Sequence, residues 1–267
     1  MPKPVTVAHA VQDAFQLSGW LEDNRPEITD FQIRRLKRML FDKQDNRFLS
    51  LIRSALVAEI ERDFPAFDEA LSTLKDQVDT PLLLNLSSIA LFANNPVLAR
   101  DLSKRAMAIN PGSEKVLNFV VQALWFSGDV KAVADLRNRI ENLGGEMESI
   151  TDDAEVSAIL AEANISVEHY TQYVDNIHGV IRQHLAHQRN VRLELLIDTA
   201  EHEDGSKNIV FEVMTDEDEE RLDKLDDMML EMSIDDDKMN PDLRRVMTCL
   251  VRDIRQFPAT HDPIEAF

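Results

Sequence analysis

Seven glycines in 267 residues leave little material for a glycine-rich phosphate loop, and neither a Walker nor a dinucleotide fingerprint is present. Tyrosine occurs twice and aromatics make up 6% of the chain. That scarcity disfavours a sandwich or barrel and favours helices joined by short connections. Cys249 is the single cysteine, so no disulfide can form within the chain, and a reducing cytoplasm is the expected setting. No run approaches 18 apolar residues, and the opening MPKPVTVAHAVQDAF lacks an apolar core. Neither a membrane span nor a secretory leader is expected.

Acid is plentiful. The 49 Asp and Glu against 29 Lys and Arg give a net charge of −20. Residues 191–267 hold 22 acidic against 9 basic side chains, a net of −13. Such a surface repels phosphate backbones and anionic membranes, so nucleic acid is an unfavoured partner and membrane association is not expected. Basic proteins would be steered toward it, with plain solubility as the blander account. Hydrophobic residues, at 44%, suffice for a sizeable core.

Apolar spacing predicts helices over 5–20 (Val7, Val11, Ala14, Leu17), 29–41, 46–62 and 64–78. The 29–41 helix carries the one concentrated basic patch, Arg34, Arg35, Lys37 and Arg38, more simply read as a solvated face than as a nucleic-acid surface. Further helices are expected at 151–162 and 166–188. From Val191 the pattern alternates, and two strands joined by EHEDGSK predict a β-hairpin. It would pack on two helices. One is capped by Thr215-Asp216, with Leu222, Leu225, Met228, Met229 and Met232 inward. The other starts at Pro241, with Leu243, Val246, Met247, Leu250, Val251 and Ile254 inward. The expected fold class is therefore mainly α: a helical body over 1–190, an acidic α+β module over 191–257 and an extended tail over 258–267.

Between Leu84 and Arg139 the chain repeats at an offset of 33 residues. Leu84 falls on Leu117, Asn85 on Asn118, Ala90 on Ala123, Phe92 on Trp125 and Val97 on Val130. Periods of this size mark stacked helical pairs. The run A-L-W-F-S-G-D at Ala123–Asp129, together with Ala99, Ser103, Ala106 and Pro111, resembles the tetratricopeptide repeat family over residues 82–143. Two departures stand out: a period one residue short of the family's 34, and bulky Val121 at a position where the family prefers a small residue. The resemblance implies a concave groove lined by the first helix of each pair. The implied partner-binding set is Asn85, Ile89, Phe92, Lys115, Asn118, Gln122 and Trp125. Paired asparagines one repeat apart would bond a peptide backbone, and Phe92 and Trp125 would anchor it or else simply pack between units.

No catalytic constellation is legible, and no cofactor is expected. His184 and His187 lie three apart on a predicted helix but lack a third ligand, so solvated histidines are the simpler reading. Asp198, His202, Glu203 and Asp204 cluster on the predicted hairpin, where acidic turns are common. Asp235-Asp236-Asp237 lacks the glycine and glutamate of a calcium loop. Cys249 sits among apolar neighbours as a core thiol. ILAEANISVEHYTQYV has a loose helix-turn-helix look, but its second helix offers acidic rather than basic residues. The expected role is a non-enzymatic adaptor, chaperone or assembly factor that binds another protein. The alternatives are an acidic regulator or nucleic-acid mimic occupying a basic protein surface, and a divergent enzyme using Asp198 and His202.

Overall fold

A computed structural model describes residues 15–39, 47–74, 80–145, 147, 153–235 and 237–256. Val7, Val11 and Ala14, Asp236 and the expected tail 258–267 lie outside them. The described chain is mainly helical with one three-stranded sheet. Its helices are α1 (15–23), α2 (Asp30–Met39), α3 (Arg47–Ile60), α4 (Phe64–Leu74), α5 (Thr80–Phe92), α6 (Pro96–Ile109), α7 (Glu114–Phe126), α8 (Val130–Asn142), α9 (Asp153–Glu162), α10 (Val167–Leu185) and α11 (Glu219–Ile234). No helix among the described residues is long and apolar enough to cross a membrane.

Two compact units divide the chain. One holds the described residues up to 74 with Leu185–Arg192, and the other those of 80–184 and 193–256. This division differs from the boundary expected at 190/191. By contacts the sheet groups with the helices from α5 onward.

One turn recurs in both units. A residue with positive φ follows α3, α5, α7 and α9: Arg62 (51°), Asn94 (51°), Gly128 (72°) and Asn164 (56°). At each, the next residue's N–H reaches back five residues, as in Asp63→Ala58, Asn95→Ala90, Asp129→Leu124 and Ile165→Leu160, at 2.8–2.9 Å. The left-handed residue's own N–H reaches back three. This double bond satisfies the orphan carbonyls at a helix C-terminus. Asp63, Asn95 and Asp129 then cap the following helix, accepting from Ala66, Leu98 and Ala132 N–H at 3.3, 3.0 and 3.2 Å. At the fourth turn the cap moves one residue on, to Ser166 (3.3 Å from His169 N).

Turn and cap set the register of the two clear repeats. Asn94 corresponds to Gly128, Asn95 to Asp129 and Pro96 to Val130, a period of 34. Buried positions coincide at this spacing: Leu86 with Val120, Ile89 with Ala123, Ala99 with Val133, Leu102 with Leu136 and Ala106 with Ile140. The expected offset of 33 is thus one residue out. Its identities come from leucine- and alanine-rich helices, whereas the backbone follows the caps. Val121 takes the place of Ser87, whose hydroxyl lies between Ser103 Oγ (2.7 Å) and the Ala99 carbonyl (3.0 Å) against α6. In the second repeat Val121 is buried, and Arg137, at the place of Ser103, pairs instead with Asp153 of α9.

The expected hairpin is present, with β1 (Leu193–Glu201) antiparallel to β2 (Lys207–Thr215). The helix expected from Pro241 is not. A short 3₁₀ turn at Leu243–Arg245 leads into β3 (Met247–Asp253), which pairs parallel with β2 from Ile209↔Met247 to Thr215↔Asp253. A two-stranded hairpin is marginal alone. Met247-Thr-Cys-Leu-Val, with β-branched Thr248 and Val251, completes the sheet through strand pairing that no local helical pattern can outweigh. The helix α11 makes the crossover between the parallel strands. It is capped by Asp218, not by Thr215-Asp216, and buries Leu225, Met229 and Met232.

Candidate functional site: the strip along α5 and α7

Helical geometry places residues i, i+3 and i+7 along one stripe. On α5 that stripe is Asn85, Ser88 and Phe92, all half-buried. On α7 the residues 34 positions later are Phe119, Gln122 and Phe126, again half-buried, with Lys115 exposed one turn before them. The two helices thus share partial exposure at three positions one repeat apart, flanked by buried core positions.

The sequence-expected set divides. Asn85, Phe92, Lys115 and Gln122 lie on the strip. Ile89 and Trp125 are buried, at 4% and 2% exposure, so these two are corrected to core packing. Asn118 is half-buried, about 100° round α7 from Phe119, and its Oδ1 is buried without a hydrogen-bond partner. Asn85 and Asn118 are consequently not equivalent, and the paired-asparagine expectation falls with the offset of 33. Ser88, Phe119 and Phe126 were missed for the same reason. Aligning Asn95-Pro96 with Asp129-Val130 as cap and first helical residue would have found them.

The turn end of both repeats is fastened to α10. Arg100 grips the Asp175 carboxylate with both terminal nitrogens (2.8 and 2.6 Å) and donates to the Ser127 carbonyl at 2.6 Å. Thr171 donates to the Gly128 carbonyl at 2.8 Å. A Cβ at Gly128 would stand 2.9 Å from Val174 Cγ2, so glycine there serves both its backbone angle and the approach of α10. His178 bridges the two turns, with Nδ1 3.2 Å from Asn94 Oδ1 and Nε2 3.0 Å from the Phe126 carbonyl. An imidazolium would serve both acceptors, but burial outweighs that gain and pushes the pKa down to about 4. Thr171 and Asp175 are committed to these contacts, which leaves the helix-turn-helix reading without its recognition surface.

Other candidates resolve differently from their expectations. His184 is buried, with Nε2 2.7 Å from Glu217 Oε2, while His187 is exposed with φ of 63°. The two neither converge on a metal nor form a solvated pair. Among the described residues no group of three or more His, Cys, Asp or Glu could hold a metal ion. Asp198, His202, Glu203 and Asp204 are exposed. Asp204 accepts from Ser206 within the tip, at 3.0 Å from its N–H and 2.6 Å from its hydroxyl. That cluster offers no enclosed site for chemistry. Cys249 is half-buried on β3, and burial pushes its thiol up to about 12. A shallow cleft of about 290 Å³ lies against α10, lined by His169, Gln172 and the 237–241 segment. Asn240 and Lys238 bond His169 and Asn176 across it.

Comparison with protein-family models, curated proteins and solved structures returned no match to this chain.

Proposed function

We propose that this protein is a non-enzymatic adaptor or assembly factor that holds a partner protein along the α5–α7 strip, in the manner of a tetratricopeptide-like repeat. The observation supporting the reading is the strip itself. Asn85, Ser88 and Phe92 recur as Phe119, Gln122 and Phe126, all half-buried, one 34-residue repeat apart. Three phenylalanines supply apolar contact, and the side chains of Asn85, Ser88 and Gln122 can donate and accept to a peptide backbone. Lys115 adds a positive charge at one end.

The test starts from the partner recovered with the purified full-length protein. Phe92→Ala with Gln122→Ala weakens its capture at least about tenfold, as expected when two central contacts of an interface are truncated. Val97→Ser, at an exposed position of α6, serves as the control and leaves capture unchanged. Equal capture by all three proteins would sink the strip as the binding face. Trp125 is unsuitable for this experiment, because its truncation would remove core packing.

A further inference from the structure

The helix α11 has two apolar faces. Its inner face is Leu225, Met229 and Met232. Leu230 and Ile234, at 59% and 64% exposure, project on the opposite side. At about 100° per residue, Ile234 lies about 160° from Met232, so this outer pair is not the rim of the core spilling into solvent. Asp223 and Asp227 continue the same stripe toward the N-terminus, with Asp226 beside it, and all three are exposed. None of these aspartates forms an ion pair among the described residues; Lys224 lies beside them on the helix, and Arg244 donates to the Ser233 carbonyl at 2.6 Å near the apolar end. The stripe runs from Asp223 to Ile234, roughly 16 Å at the helical rise.

We infer that this outer face of α11 docks an amphipathic basic helix of another protein. The partner's apolar side chains would cover Leu230 and Ile234, and its Lys or Arg residues would meet Asp223, Asp226 and Asp227. Charge decides the kind of occupant. The apolar end continues directly into three carboxylates that have no ion-pair partner among the described residues, and the net −13 of residues 191–267 would repel a second copy of the same face. The straight stripe suits a helix lying alongside, which presents its own residues at the same spacing. This site is separate from the α5–α7 strip and stands whether or not that strip binds.

The experiment titrates the full chain, at low ionic strength, with a helical peptide of about 18 residues that carries leucines on one face and lysines on both flanks. A scrambled peptide of equal composition is the comparison. Saturable binding of the patterned peptide is expected, with the scrambled peptide binding at least about tenfold more weakly. Leu230→Ser with Ile234→Ser weakens binding about tenfold, from the lost apolar burial. Asp223→Asn with Asp227→Asn flattens the salt dependence. Leu230→Met with Ile234→Leu retains binding, which separates lost contact from disturbed folding. Equal binding of both peptides, unchanged binding by the serine variant or absence of binding would overturn the proposal. So would self-association of the wild type that the serine variant abolishes, since a second copy would then be the occupant.

Discussion

Arg62 and Gly128 occupy the same left-handed position in the same turn, one in each compact unit, and the surroundings close that turn by opposite means. At Arg62 a side chain does it. Its guanidinium donates to the Gln188 and Val191 carbonyls at 2.9 and 2.7 Å, and its own carbonyl accepts from His187 N–H. Beside it, Arg25 is buried against Glu22 and Glu59 and also donates to the Ile60 and Arg189 carbonyls. Burial and then the charge of Glu22 raise the pKa of Glu59 well above the usual carboxylate range. Burial also pushes Glu22 upward, but Arg25 and Arg62 outweigh it and hold that carboxyl low. At Gly128 the absence of a side chain does the work, and α10 comes down on bare backbone. One backbone solution therefore serves both a charged and an apolar environment. The turn itself carries no information about what packs on it.

The largest effect is expected where charge is buried. Arg25→Met strips Glu22 and Glu59 of their shared partner and costs about 3–5 kcal/mol in urea unfolding. Adding Glu59→Met should recover much of it. No recovery would mean that the cluster is held by packing and not by charge balance.

Acid separates the units next. His178 is neutral when folded, with a pKa of about 4, whereas its unfolded value is near 6.5. Its contribution is full above pH 6.5 and is lost as pH falls toward 4, by roughly 3 kcal/mol in all. Glu59 has the opposite sign. Its raised folded pKa gives stability below the unfolded value that is lost as pH rises through the folded one, with Glu22, held low, partly offsetting it. Titration of the imidazoles by NMR checks the first statement. A His178 value above 6.5 would show that its two acceptors prevail over burial.

The smallest contrast is at the shared turn. Gly128→Ala meets both a φ of 72° and Val174, and should cost about 2 kcal/mol in thermal unfolding. Asn94→Ala, at φ of 51°, should cost less unless the His178 bridge matters more than the backbone. A larger loss at Asn94 would reverse the comparison.

Much of the helical layout was readable because local chemistry writes it directly. Asn95-Pro96 and Asp129-Val130 announce cap and first turn, and Val156, Ile159 and Leu160 mark the buried face of α9. The turns at Arg62 and Asn164 were not readable as repeats. Their spacing from Asn94 and Gly128 is 32 and 36, so no fixed offset finds them. The candidate strip was half readable. Periodicity fixed which residues share a stripe, but the register between α5 and α7 depends on the caps, and a slip of one residue put Trp125 and Asn118 on the stripe in place of Phe126 and Phe119.

By itself, the sequence determined the helical hairpins, the antiparallel β-strands and the acidic balance, because capping, periodicity and charge act over a few residues. Tertiary structure alone decided that Met247–Asp253 is a strand, since its hydrogen bonds go to β2 nearly forty residues away. It also decided that His184 is buried against Glu217 and that α10 spans two turns through Arg100, Thr171 and His178. Those partners are distant along the chain, and no local pattern encodes which of them will meet.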